Sequence, residues 1–198
     1  LRVLEGIRLI KPRALALENV PWFEGSQGHA KLLETLEQHD YHVVGRQLCP
    51  TELGIPNVRK RFYLVACLEA LRPLTVEPCH TAPLQHYLDT EASDQLRVPE
   101  ELQRRYGDNL HTVDANDSSA VAACFTSAYG KSPVYCGSYL RQDDLLRYFS
   151  PNEIARILGF SEGFILPKDY SLRQLWKLIG NSLSIPAVRC VLQALPAP

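Results

Sequence analysis

The sequence predicts an α/β protein in which two regular parts are separated by an irregular stretch. Apolar runs that suit strands alternate with amphipathic helical patterns over residues 1–71. Helix start signals return within residues 142–198, whereas residues 72–141 carry prolines, short polar runs and weak periodicity. We therefore expect residues 1–71 and 142–198 to form one domain, with residues 72–141 inserted between them as a small separate lobe.

The first part is expected to contain helices and strands that follow each other as in an α/β sheet. Apolar spacing predicts helices over residues 1–10 and 26–39. Runs of β-forming residues predict strands over residues 14–17, 41–48 and 61–68. A strand, a helix and a strand in this order are typical of one sheet with a helix packed against it.

The last part is expected to contain three helices. Ser150 and Glu153 have the spacing of a capping box, so a helix should begin there and end at Gly159. Ser171 and Gln174 repeat this spacing ahead of a second helix. A Gly-Asn-Ser sequence should end that helix, and a third, apolar helix with a proline in its first turn should follow.

Composition and charge limit the classes of function. The chain has 198 residues and a formal net charge of −1, so nucleic-acid contact would depend on local basic patches rather than on a global field. No apolar segment approaches the ~20 residues of a membrane span. The six cysteines form no Cys-x-x-Cys pair and no zinc spacing with the six histidines. We interpret them as reduced thiols of an intracellular protein and expect no metal site.

Four separated segments carry a resemblance to a known family. They are LENV at 17–20, GIPNVRKRFYLVA at 54–66, RYFSPNEIARILGF at 147–160 and LIGNSL at 178–183. In this order, with an irregular lobe between the second and the third, they resemble the C-terminal half of cytosine-C5 methyltransferases. The sequence CFTSAYG at 124–130 is similar to the signature of the subgroup that methylates tRNA-aspartate.

This resemblance implies a fold, a cofactor and a reaction. The fold would be the later part of a Rossmann-like S-adenosylmethionine-dependent methyltransferase sheet, with residues 72–141 as a target-recognition lobe. The reaction would transfer a methyl group from S-adenosylmethionine to C5 of a cytosine in the anticodon loop of tRNA-aspartate. C5 is weakly nucleophilic, so a cysteine thiolate attacks C6 while an acid stabilises the charge that develops at N3.

The resemblance also implies roles for individual residues. Glu18 would be the acid that hydrogen-bonds N3 of the target base. Arg59 and Arg61 alternate at the start of a strand, so both should point to one side, with Arg59 approaching the cytosine ring. Asn181 and Ser182 would contact S-adenosylmethionine. Other residues expected to contact the substrate or hold its site are Asn19, Asn57, Cys124, Phe125 and Thr126.

Several of these residues also have a plain structural interpretation. Glu18 can mark the point where a strand meets water, the arginines can be surface charges, and Cys124 can be a small buried apolar residue. For Glu153 and Arg156 the structural interpretation is preferred, because the cap explains Glu153. The alternatives for the whole chain are the same half of a DNA cytosine-C5 methyltransferase, or a non-catalytic homologue that binds nucleic acid or a partner methyltransferase.

Two parts of the family's active site are expected to be missing from this chain. The family's Pro-Cys-Gln nucleophile and its Gly-rich cofactor turn do not occur in the sequence. Cys79 follows a proline, but it lies after the arginine strand, so we do not assign it as the nucleophile. We expect the chain to be the base-reading half of an enzyme, with the N-terminal half, on the same or a separate chain, as its partner. The expected substrate is tRNA, with DNA as the alternative. We expect the protein in the cytoplasm, with the nucleus as a second location, and we expect no association with a membrane.

Overall fold

The structure of the protein is a computed structural model that describes residues 2–77, 79–91 and 93–197. The helices are α1 (Arg2–Ile10), α2 (Gln27–Glu37), α3 (Glu100–Tyr106), α4 (Pro151–Ile157), α5 (Leu172–Gly180) and α6 (Ile185–Leu192). The strands are β1 (Ala14–Asn19), β2 (His42–Leu48), β3 (Arg61–Cys67), β4 (Thr112–Asp114), β5 (Tyr139–Gln142) and β6 (Leu145–Tyr148). The predicted α/β class is confirmed. Leu1, predicted to start the first helix, and Pro78, beside Cys79, lie outside the described residues.

The chain divides into two compact units, and their boundaries differ from those predicted for the domain and its inserted lobe. The first unit consists of residues up to 49, residues 60–77 and residues from 187 onward. The second unit consists of residues 50–59 and of the chain from residue 78 to 186. Whether residues 72–141 act as a target-recognition lobe stays a prediction.

The first unit is built around a three-stranded sheet in the order β1-β3-β2. β3 lies between the other two strands and runs antiparallel to both. Its residues from Phe62 to Cys67 are all buried, which explains its continuous apolar sequence. α2 begins where predicted, because the Ser26 side chain accepts a hydrogen bond from the backbone N–H of His29. Leu32 and Leu36 of α2 pack with Phe62 in this unit's core.

The second unit has its own sheet and core. Its strands lie in the order β4-β5-β6, with β4 parallel and β6 antiparallel to β5. The stretch that we expected to be irregular therefore contributes a helix and two strands. α4 and α5 each start with the predicted capping box, at Ser150 with Glu153 and at Ser171 with Gln174. Both helices pack in one apolar cluster together with the buried side chain of Phe125.

A buried ion pair fixes the start of α4. Arg147 and Glu153 are both 0% exposed, and the two guanidinium nitrogens donate to the two carboxylate oxygens at 2.7 and 2.9 Å. The same carboxylate accepts backbone N–H groups from Ser150 at 2.7 Å and Asp89 at 2.9 Å. The capping interpretation of Glu153 is confirmed but incomplete, since Glu153 also neutralises a buried arginine. Arg156 pairs with Asp89 at 2.5 Å nearer the surface.

Three general features bear on function. The six cysteines are free thiols. Within the described ranges, no helix has the length and apolar character needed to cross a membrane. Among the same residues, no cluster of three or more His, Cys, Asp or Glu side chains is placed to hold a metal ion.

Candidate active site

Glu18 lies near the end of β1, where its carboxyl group forms an ion pair with Arg61. Glu18 lies directly opposite Tyr63 in the β1–β3 register, so Arg61, two residues from Tyr63, is its diagonal neighbour on the same face. Arg61 Nε lies 3.2 Å from Glu18 Oε1, and the two side chains are 20% and 22% exposed. The carboxyl group is thus half-buried and oriented by an arginine. From the sequence it could also have been a carboxylate that simply meets water at the end of the strand.

The turn after β1 is rigidly held. Asn19 Oδ1 accepts the backbone N–H of Val20 at 2.9 Å, so Asn19 supports the local backbone as predicted. A short 3₁₀ helix follows at Pro21–Phe23. The Phe23 ring lies against Phe62, with 6.0 Å between ring centroids, and this contact anchors the turn to the sheet. A substrate contact by Asn19 stays a prediction.

Arg59 has surroundings different from those of Arg61. β3 begins at Arg61, so Arg59 precedes the strand, and the predicted alternation does not apply to it. Arg59 belongs to the second unit and is only 5% exposed. Its Nη1 donates to Phe125 O at 2.9 Å, and its Nη2 donates to Ser182 O at 2.5 Å. Arg59 therefore clamps two distant segments together, and the arginine paired with the predicted acid is Arg61.

The Cys-Phe-Thr segment is partly in the core and partly at a cleft. The Cys124 thiol is half-buried and accepts a hydrogen bond from Arg59 Nη1 at 3.3 Å. Phe125 was predicted to contact substrate, but the structure places its ring in the core at 1% exposure, edge-on to Tyr129 and Phe149. Thr126 Oγ1 accepts the N–H of residue 128 at 3.3 Å and holds the following turn.

A cleft of about 670 Å³ opens beside Cys124 and Thr126 in the second unit. It is also lined by His111, whose Nδ1 lies 2.8 Å from the hydroxyl of the buried Ser138. The same hydroxyl accepts the N–H of Ala123 at 2.7 Å and so positions the chain just before Cys124. No local sequence pattern indicates Ser138, because its neighbours are those of an ordinary strand start.

Asn57 positions the same segment from the other side. It is 1% exposed, and its Nδ2 donates to the carbonyl oxygens of Ala122 at 3.1 Å and Ala123 at 3.0 Å. The backbone adds a bridge between Asn57 and Ala122. The structure therefore gives Asn57 a positioning role, and its predicted substrate contact stays a prediction.

The Gly-Asn-Ser turn ends α5 as predicted. Asn181 is the exposed C-cap residue of this helix. Ser182 Oγ donates back to Leu178 O at 3.2 Å, so its hydroxyl is engaged within the helix end. Gly180 was not singled out as a site residue, yet a Cβ atom there would lie 2.3 Å from Thr126 O. Only glycine permits this close approach between the turn and the Cys-Phe-Thr segment.

We expect Gly180→Ala to lower the free energy of unfolding by about 1–3 kcal/mol, because the added methyl group overpacks a backbone contact. Chemical denaturation measures this change. Gly6→Ala is the matched control, since a Cβ at Gly6 in α1 meets nothing within 4 Å and alanine there should stabilise by about 0.5–1 kcal/mol. Changes of the same sign and size in both variants would contradict the close-approach explanation.

Comparison with known families gives one match that spans the chain. A family model described as C-5 cytosine-specific DNA methylase matches residues 1–132 and 89–197. The two matched ranges overlap and together extend over both compact units.

Individual relatives are named as methyltransferases. The tRNA (cytosine(38)-C(5))-methyltransferase of Schizosaccharomyces pombe is 25% identical over 215 residues, covering 94% of this chain and 64% of that protein. The type II methyltransferase M.MspI of Moraxella sp is 29% identical over 202 residues, covering 93% of this chain and 46% of that protein. The chain thus spans less than two thirds of either relative. The solved structure of the Entamoeba histolytica methyltransferase EhMeth superposes with a TM-score of 0.89 at 26% identity, covering 97% of this chain and 67% of that one.

Proposed function

The chain belongs to the C-5 cytosine-specific DNA methylase family, and from this membership we propose that it reads and activates a cytosine for C5 methylation in tRNA. The resemblance indicated by the four sequence segments is confirmed. The observation that supports the proposed role most directly is the Glu18–Arg61 pair, a half-buried acid oriented at a strand end.

Glu18 can act on the base in a defined way. Attack on C6 of cytosine leaves electron density on the ring, which a hydrogen bond to N3 stabilises. With Arg61 holding Oε1, Glu18 is oriented to share a proton with N3 through its carboxyl group. Arg61 keeps the carboxyl group in one orientation, so the group meets N3 at a fixed place when the base enters.

The cofactor implied by the family is S-adenosylmethionine, which supplies the methyl group when bound. Asn181 fits a contact with it, because its side chain is exposed on a turn that Arg59 holds at two carbonyl groups. The Ser182 hydroxyl fits less well, since it donates to Leu178 O. These two residues would supply a minor part of the cofactor site.

We also propose that this chain needs an N-terminal half for catalysis. In support, the sequence lacks a Pro-Cys-Gln segment and a Gly-rich turn after a first strand. Its Cys79 thiol is exposed and donates to the Glu52 carbonyl at 3.6 Å in the second unit, whereas Glu18 belongs to the first unit. The contact with Glu52 does not assign Cys79 to the reaction.

The isolated 198-residue chain is expected to transfer no methyl group to tRNA or DNA and to bind S-adenosylmethionine very weakly. Isothermal calorimetry and transfer of labelled methyl groups measure both quantities. Robust transfer by the isolated chain that disappears in Cys79→Ala would contradict the proposal and identify Cys79 as the nucleophile.

RNA is the proposed substrate rather than duplex DNA. Support comes from the name of the Schizosaccharomyces pombe relative and from the Cys-Phe-Thr segment, while the description of the family, which names DNA, supports the DNA alternative. A cytosine in an RNA loop is already partly unstacked, so extruding it costs less than in a duplex, where the cost is a few kcal/mol. The finer target, a cytosine in the anticodon loop of tRNA-aspartate, and a cytoplasmic or nuclear location belong to this proposal.

We expect the complete protein that carries this chain to methylate a tRNA-aspartate transcript faster than a duplex oligonucleotide at equal salt. Salt must be matched, because phosphate contacts make nucleic-acid affinity strongly dependent on it. Single-turnover transfer from labelled S-adenosylmethionine measures both rates. Faster transfer to the duplex would move the chain to the DNA-modifying alternative, and binding of tRNA without transfer to either substrate would favour a non-catalytic homologue.

A further inference from the structure

An exposed tryptophan follows the proposed base-reading residue by four positions in the sequence. Trp22 is 81% exposed, although tryptophan carries one of the largest apolar surfaces of any side chain. We propose that Trp22 is a stacking platform for the nucleobase that neighbours the target cytosine in RNA. This inference goes further than the proposed function and depends on it.

The backbone under Trp22 is held in place. Pro21 fixes one backbone dihedral, and the N–H groups of Phe23 and Glu24 donate to Val20 O at 3.0 Å and Pro21 O at 3.2 Å. Gln47 Nε2 on β2 donates to Glu24 Oε2 at 2.6 Å and ties the turn to the sheet. An indole on such a support loses little conformational freedom on binding, which favours affinity.

The position of Trp22 suits a base beside the target. It lies four residues after Glu18, so the two Cα atoms are at most about 14 Å apart. A base that is extruded from a loop leaves its neighbours unstacked, and single-stranded bases bind to proteins mainly by stacking on aromatic side chains. Trp22 therefore offers a π-face within reach of a neighbouring nucleotide when Glu18 holds the cytosine.

The charges near this end of the first sheet favour a nucleic acid. Lys60 is exposed just before β3, and Arg61 is the residue of β3 opposite Leu48 at the end of β2. Lys60 can contact a phosphate group, and such contacts supply much of the affinity for RNA, whereas Arg61 is engaged by Glu18.

Trp22 has no comparable role in stability. Its 3₁₀ helix contains no buried residue, and the ring stacking in this region involves Phe23, His29 and Phe62. Removal of the indole therefore takes away no core contact. A change in RNA affinity in a Trp22 variant would report on binding rather than on folding.

Affinity measurements on the complete protein test the inference. The RNA probes are a tRNA-aspartate transcript and the same RNA with an abasic site at either neighbour of the target cytosine. We expect Trp22→Ala to weaken binding of the intact transcript about tenfold, as for loss of one stacked base, and Trp22→Phe to stay within a few fold of wild type. Leu9→Ala, which truncates a 78% exposed side chain in the same unit, is the matched control and should change nothing.

The decisive test is whether the effects of Trp22→Ala and of an abasic site on the binding affinity are coupled. If Trp22 stacks on one neighbour, the abasic site there weakens wild type about tenfold and leaves the affinity of Trp22→Ala unchanged. Equal weakening of both proteins by each abasic site would overturn the inference while leaving the proposed function intact. Binding of duplex DNA but not of tRNA would overturn the inference together with the proposed substrate.

Discussion

Replacing Glu18 with glutamine in the complete enzyme is expected to slow methyl transfer by about 10²–10⁴-fold. The amide has nearly the shape of the carboxyl group, so the fold should be retained, but it cannot share a proton with N3 of the base in the same way. The ion pair with Arg61, 3.2 Å from Glu18 Oε1, is lost, although the side chain stays in place. Single-turnover methylation of tRNA measures the chemical step directly.

Glu69→Gln is the matched control for this substitution. Glu69 also pairs with an arginine of the first unit, Arg13, at 2.7 Å, but both side chains are more than half exposed. The control should leave the rate unchanged, because the exposed Glu69–Arg13 pair has no part in the proposed reaction and contributes little to stability. A rate for Glu18→Gln within a few fold of wild type would remove Glu18 from the reaction.

Replacing Arg147 with methionine is expected to lower the free energy of unfolding by about 3–5 kcal/mol. The substitution leaves the Glu153 carboxylate fully buried with no cation, while its hydrogen bonds from Ser150 and Asp89 remain. An uncompensated buried charge is far more costly than a lost surface contact. Urea denaturation followed by circular dichroism measures the change.

Arg13→Met provides the comparison with an exposed pair. Arg13 and Glu69 are 55% and 53% exposed, so removing Arg13 should cost far less than removing Arg147. A loss for Arg147→Met as small as that for Arg13→Met would mean that the buried pair contributes little to stability.

Local sequence patterns were enough to predict most helices and strands and to single out Glu18 as a candidate base-reading residue. The capping boxes at Ser150 and Ser171 fix helix starts through hydrogen bonds between residues three apart, so they can be read without knowledge of the rest of the chain. Glu18 was found because an acid at the end of an apolar run needs an explanation. The family resemblance supplied that explanation.

Long-range contacts could not be predicted in this way. Arg59 binds carbonyl groups 66 and 123 residues away, and no local pattern indicates such partners. The central place of β3 between β1 and β2 also depends on pairing across the chain. Phe125 was assigned to the substrate by its motif, but burial with two other aromatic rings makes it part of the core.

Mapping 5-methylcytosine by bisulfite sequencing tests most directly whether this chain reads a cytosine through Glu18. The complete protein is incubated with S-adenosylmethionine and either a tRNA pool or duplex DNA, alongside the Glu18→Gln and Glu69→Gln variants. We expect one methylated anticodon-loop cytosine in tRNA-aspartate with wild type and Glu69→Gln, and none with Glu18→Gln. Methylation of the same cytosine at equal levels by Glu18→Gln, or 5-methylcytosine only in the duplex, would contradict this function.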